Sequence, residues 1–175
     1  VRKHLPWIDR VRRNKPHIFE EAIESALSKR SPYGPDAWAE FHEKFESLLR
    51  FPWDDNERTL TDMLHLLAED DDAGRRARIL KTINDGFKGP WAEYCAQALY
   101  MTAGAKSVED RERRYGHPMA AANSANNISD ASVDALHAAV RETGAPLARR
   151  YYRLKAELLG LDRLRWSDRN AKLRF

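Results

Sequence analysis

The sequence predicts a fold that is all-α or nearly so, with about seven helices and a small β-hairpin near 51–60. Three observations predict it. Apolar residues recur at steps of three and four, the period of one helix face. Gly, Pro and Asp clusters fall between these stretches as start and stop signals. The composition, 42% hydrophobic and 33% charged with 17 aromatic residues among 175 (5 Trp, 6 Tyr, 6 Phe), gives a chain long enough to bury a sizeable core.

The elements follow in order. Residues 1–16 form a basic lead-in segment. Over 17–29, Ile18, Phe19, Ala22, Ile23, Ala26 and Leu27 are spaced as a helix. Pro16 suits its entry, and Glu20, Glu21 and Glu24 suit the positive end of its dipole. Ser31-Pro32-Tyr33-Gly34-Pro35 breaks it. Asp36 then caps a helix over about 37–50, whose apolar stripe is Trp38, Phe41, Phe45 and Leu48. Phe51-Pro52-Trp53, the turn-like Asp54-Asp55-Asn56-Glu57 and Arg58-Thr59-Leu60 read as the hairpin, with Pro52 as its weak point.

Thr61 caps a short helix holding Met63, Leu64, Leu66 and Leu67, and Glu69-Asp70-Asp71-Asp72 is a loop ending in a cap. A helix over about 73–88 carries Ala77, Leu80, Ile83 and Phe87. After Gly89-Pro90 a further helix runs from about 91 to Arg114, with Trp91, Tyr94, Cys95, Ala98, Leu99 and Thr102 and a weak point at Gly104. Tyr115-Gly116-His117-Pro118 ends it, and 119–129 is an ordered crossing loop. Asp130 caps a helix over 131–143 with Val133, Leu136 and Val140. Gly144 and Pro146 punctuate. The last helix, about 146–159, carries Leu147, Tyr151, Leu154 and Leu158 on a packing face and stops at Gly160.

Composition and charge exclude several classes. With 8 Gly and 8 Pro the chain is neither collagen-like nor low-complexity, and its apolar runs are too short to span a bilayer. The net charge of +3 is too small to read a nucleic-acid binder from the total. Its distribution is uneven: +5 over 1–16, −8 over 17–140 and +6 over 141–175. Two basic ends around an acidic middle fit either an intramolecular pairing or solvated helix faces. A nucleic-acid module would use Arg150, Arg153 and Lys155, but the apolar stripe makes that helix a packing element first, so no nucleic-acid and no membrane partner is expected. The single cysteine, Cys95, can form no internal disulfide and reads as a structural thiol in a reducing, cytoplasmic setting.

Motifs for chemistry are sparse. His42-Glu43-Lys44-Phe45-Glu46 is the nearest approach to the zinc-peptidase motif H-E-x-x-H, in which two imidazoles one turn apart hold zinc and the Glu serves as base. Its fifth position is Glu46, and the aromatic stripe turns His42 and Glu46 largely outward. His17-Ile18-Phe19-Glu20-Glu21 lacks the second His of H-x-x-E-H. Gly86-Phe87-Lys88-Gly89 has the wrong spacing for a phosphate loop. Asp70, Asp71 and Asp72 read as a cap, and Arg75, Arg76 and Arg78 as their local charge balance. The residues alone therefore name no catalytic, cofactor-binding or metal-binding side chain.

The C-terminal block is distinctive. It runs Arg149-Arg150-Tyr151-Tyr152-Arg153-Leu154-Lys155-Ala156-Glu157-Leu158-Leu159-Gly160-Leu161-Asp162-Arg163-Leu164, then Trp166-Ser167-Asp168-Arg169-Asn170-Ala171. It resembles oligoendopeptidase F, a bacterial branch of the thimet-oligopeptidase-like zinc metallopeptidases. Leu5-Pro6-Trp7-Ile8 with Asn14-Lys15-Pro16-His17, the stretch from Phe51 through Leu67, and Tyr115-Gly116-His117-Pro118-Met119-Ala120 with Asn126-Asn127-Ile128-Ser129 and Val133-Asp134-Ala135-Leu136 are similar to the same family in the same order. Lys172 departs from the family, whose members tend to have Pro there.

The resemblance implies a zinc-dependent enzyme that cleaves short peptides in a channel walled by helices, inside a bacterial cell. It divides the chain into the lead-in at 1–16, an N-terminal helical domain over 17–103, and over 104–175 the start of a peptidase domain that stops before the zinc motif. The family's catalytic unit, H-E-x-x-H plus a later Glu, lies beyond the matched block, so no zinc ligand or base carries over. The expectation is then an interior slice of the parent enzyme, beginning at Val1 after a missing N-terminal part and ending before the catalytic centre, inactive alone and self-associating through apolar surface. A non-enzymatic helical scaffold derived from such a peptidase is the alternative.

Overall fold

The computed structural model describes residues 2–173, with side chains from residue 3; Val1 and 174–175, the outer ends of the two basic segments, lie outside the described residues. The architecture is nearly all helical, with one two-stranded antiparallel hairpin. All seven expected helices are present. In chain order the elements are α1 (Leu5–Asn14), α2 (Glu21–Arg30), α3 (Pro35–Ser47), β1 (Phe51–Trp53), β2 (Asn56–Arg58), α4 (Leu60–Glu69), α5 (Ala73–Gly86), α6 (Pro90–Glu112), α7 (Ala120–Ala125), α8 (Asp130–Ala139) and α9 (Ala145–Leu158). Short 3₁₀ turns flank several of them, the last at Trp166–Asp168.

Several boundaries correct the sequence reading. The lead-in segment is helical (α1), with Pro6 in its first turn, where a missing N–H costs nothing. The expected helix at 17 starts only at Glu21, because Pro16 sets a 3₁₀ turn at Lys15–His17 and Ile18 turns extended. Thr59, not Thr61, caps α4, through a capping box in which its hydroxyl accepts from the Asp62 N–H while the Asp62 carboxylate accepts from the Thr59 N–H. Asp36 lies inside the first turn of α3, behind Pro35. Part of the 119–129 crossing is the short helix α7. Ser129 caps α8 by accepting from the Ser132 N–H, and Asp130 is used elsewhere. α6 runs through Gly104 without a break. Gly144 and Pro146 do not separate α8 from α9: a π turn at Val140–Gly144 joins them into one helical run. The wide turn absorbs the extra residue, and Pro146 falls in the first turn of α9, where its ring is tolerated.

Contacts divide the chain into two units, each discontinuous in sequence. The first takes 1–42 and 96–138, the second 43–95 and 139–175. The sequence division at 16 and 103 follows resemblance; this one follows contacts.

The second unit holds the main core. Phe51, Met63, Leu67, Ile79 and Ile83 are buried together, with Leu49, Trp53, Leu60, Leu66, Leu80 and Phe87 packed around them. The hairpin delivers Phe51. Its register pairs Phe51 with Arg58, Pro52 with Glu57 and Trp53 with Asn56 across a two-residue turn. Such a turn makes Trp53–Asn56 the hydrogen-bonded pair, so the next pair is the kind that needs no N–H from Pro52. Asp54 and Asp55 both take positive φ, 47° and 60°, as the turn demands. A Cβ at Gly86 would stand 2.5 Å from Phe51 Cε1, so the bare glycine lets the Phe51 ring lie against α5. Phe45, Phe87, Trp91 and Tyr94 extend this core as an aromatic ladder with centroid spacings of 4.8 to 5.9 Å.

The first unit is held more by polar contacts; Ala98 and Asn123 are its buried residues. Arg13 donates to the Asn127 carboxamide and Ser124 to Asn14, tying α1 to the α7 region.

Candidate functional site

Two places gather polar side chains within a unit. In the first unit they meet at the C-terminal end of α6. Arg113 donates to both carboxylate oxygens of Glu24 on α2 (2.7 and 3.0 Å), to Glu109 one turn earlier (2.7 Å) and to the His17 carbonyl (3.0 Å). Its guanidinium lies 4.7 Å over the Phe19 ring. His17 Nδ1 lies 2.6 Å from the Arg113 carbonyl, and the imidazole stacks on Tyr115 at 4.1 Å. Glu24 also accepts from the Phe19 N–H. The Arg113 hydrogen bonds, with that N–H, hold the Glu24 carboxyl down from its ordinary 4.5 to about 2. Two adjoining clefts of about 540 and 600 Å³ share Pro35, Ala105, Glu109 and Arg113 as lining. The smaller is floored by Leu27, Gly104, Ala105 and Val108.

Nearby, Asp130 accepts from Asn123 Nδ2 (2.7 Å) and lies 3.0 Å from His117 Nε2. Asn123 first and His117 second hold its carboxyl below the usual range. A His–Asp pair can orient a general base. Among the described residues, no serine, threonine or cysteine is hydrogen-bonded to His117.

In the second unit the C-terminal block folds back on α5. Arg76, 2% exposed, sends Nε and Nη2 to one oxygen of Asp168, which is fully buried (2.9 and 2.7 Å). Its Nη1 bonds to the carbonyls of Asp70 and Asp71. The other Asp168 oxygen accepts from the Arg165 N–H. Lys155, also buried, donates to the Arg169 carbonyl (2.8 Å). Burial pushes its ammonium pKa down, Arg76 pushes the same way, and Asp168 opposes them. Lys172 closes the arrangement through the Ala68 carbonyl and Glu69.

Asp72 caps α5, accepting from the Arg75 N–H. Arg75 pairs with Asp54 and Asp70, the local balance expected. Arg76 is instead a buried anchor; only its place in the row of Ile79 and Ile83, three and seven residues on, could have signalled that. His42 and Glu46 are half-buried rather than turned outward. Cys95 is half-buried, and burial with the nearby Glu46 pushes its thiol up, away from nucleophilic character. Among the described residues no three His, Cys, Asp or Glu side chains converge to hold a metal ion, so a zinc ion finds no fitting site in them. No helix among them is long and apolar enough to cross a membrane. The face of α9 expected to pack, Leu147, Tyr151, Leu154 and Leu158, is exposed; Lys155 and Ala156 are buried in its place, drawn in by the Lys155 bond to Arg169. No protein-family model, curated protein or solved structure matches the chain.

Proposed function

We propose that this chain is a helical segment of a zinc-dependent peptidase resembling oligoendopeptidase F, in which it walls the substrate channel and limits access to short, unfolded peptides. The parent hydrolyses peptide bonds in bacterial cytoplasm; this segment alone binds no catalytic zinc and cleaves nothing. In the parent, zinc would polarise the scissile carbonyl and activate water. That chemistry belongs to residues of the parent other than those described.

One observation carries the reading. The block on which the resemblance rests is the block that anchors the second unit. Lys155, Ala156, Ser167, Asp168 and Ala171 are its buried residues, and Gly160 terminates α9 at φ 65°. Letters fixed by such contacts are those a shared fold would retain. The saturated Arg113 and Arg76 clusters also suit a wall rather than a reaction centre, since every charged partner is already engaged.

The test has two arms. Metal content and peptide hydrolysis are measured on this polypeptide; stoichiometric zinc with turnover overturns the proposal. The reading frame is then followed downstream. An H-E-x-x-H there, with zinc-dependent hydrolysis of short peptides by the longer product and loss of that activity on chelation, is the expected outcome. A stop codon without that motif turns the reading to a non-enzymatic scaffold.

A further inference from the structure

The exposed face of α9 has the pattern of a coiled-coil seam. Leu147, Tyr151, Leu154 and Leu158 succeed one another at steps of four, three and four, and are 65, 49, 52 and 52% exposed. In heptad terms they occupy d, a, d and a. A shallow groove beside them is lined by Leu147, Arg150, Tyr151, Arg153, Leu154 and Glu157. Arg150 and Glu157 then fall at successive g positions, and neither is in an ion pair within the described chain.

The charges choose a partner and a direction. When two copies of this helix run antiparallel, Leu147 of one meets Leu158 of the other, and Tyr151 meets Leu154, giving four apolar layers about a twofold axis. In that register g faces g, so Arg150 of each copy stands opposite Glu157 of the other, twice by symmetry. In a parallel pair g faces e instead; the e position, Lys155, is buried and tied to the Arg169 carbonyl, so Arg150 finds no opposite charge there. The surface is thus complementary to itself in one orientation only. We propose that α9 is a self-association helix, pairing antiparallel with α9 of a second copy of this chain. The pairing goes beyond the peptidase reading and does not depend on it.

The experiment is sedimentation velocity across a concentration series, under reducing conditions so that Cys95 cannot link copies. The unmodified chain is expected to pass from monomer to dimer as concentration rises. Leu154→Glu places two carboxylates in the central layers and is expected to weaken the dimer by more than about tenfold. Arg150→Glu and Glu157→Arg each set like charges face to face, twice, and each is expected to weaken it by about three- to tenfold. The double variant R150E/E157R restores opposite charges and is expected to recover the parent affinity. All three substituted residues are exposed, so circular dichroism of the variants should match the parent. A strict monomer at the highest concentration overturns the proposal. So does association that Leu154→Glu leaves unchanged, since another surface then carries it. Failure of the charge-swapped double variant to recover overturns the antiparallel register. None of these outcomes bears on zinc binding or peptide cleavage.

Discussion

At the scale of single residues, buried charge decides most. Arg76 and Asp168 are both out of water and bonded to each other. Removing one leaves the other buried and unpaired, so Arg76→Leu or Asp168→Asn should each cost about 3–5 kcal/mol in urea unfolding. The double replacement R76M/D168L should cost less than either single change, because no uncompensated charge remains. Glu24 gives a pH prediction. Its folded pKa, about 2, lies below its ordinary 4.5, so its stabilisation is present above 4.5 and is lost as pH falls towards 2. Glu24→Gln should flatten the fall in stability across that window in an acid titration followed by tryptophan fluorescence. Neither pairing could be read from one-dimensional spacing. The Arg76 partner lies 92 residues away and the Glu24 partner 89. The sequence shows the charges and not their pairing.

At the scale of elements, chain reversals explain what was legible. Three helices end in the same double hydrogen-bonded cap. After α9 the Gly160 N–H reaches the Glu157 carbonyl and the Leu161 N–H reaches Ala156; after α6, Arg114 and Tyr115 reach Arg111 and Asp110; after α7, Asn127 and Ile128 reach Ser124 and Asn123. Each cap needs one residue at positive φ. Glycine announces that need, and the stop at Gly160 was readable. Arginine does not, yet Arg114 sits at φ 63°. Arg114→Gly should therefore stabilise the chain by up to about 1 kcal/mol, measured as a raised thermal midpoint, whereas Gly160→Ala should lower it. Gly86→Ala should be worse, about 1–3 kcal/mol, because its methyl meets the Phe51 ring rather than open space. Periodicity picked out Met63, Leu67 and Ile83 as apolar positions of α4 and α5 but missed Ile79. It failed on α9, where four apolar residues in perfect register promised a buried face and Lys155 took it. A stripe records that a helix has an apolar side; it does not record what covers that side.

At the scale of the whole molecule, the two units differ in what holds them. Apart from Ala98 and Asn123, every buried residue among those described belongs to the second. Amide hydrogen exchange should accordingly be slowest in α4 and α5, around Met63, Ile79 and Ile83, and faster in α1, α2 and α8, which bury no residue. Equal protection throughout would contradict this. The discontinuous make-up of the units also orders events in time. Arg76 leaves the ribosome 92 residues before Asp168. At ordinary synthesis rates that is a wait of roughly 5–20 s, far longer than helices or hairpins need to form. The α4–α5 region with its hairpin can therefore assemble early, with its arginine still hydrated, and must dehydrate that charge only once Asp168 has been made. Nascent chains arrested short of Asp168 should show this as a second unit that resists proteolysis only after Asp168 emerges.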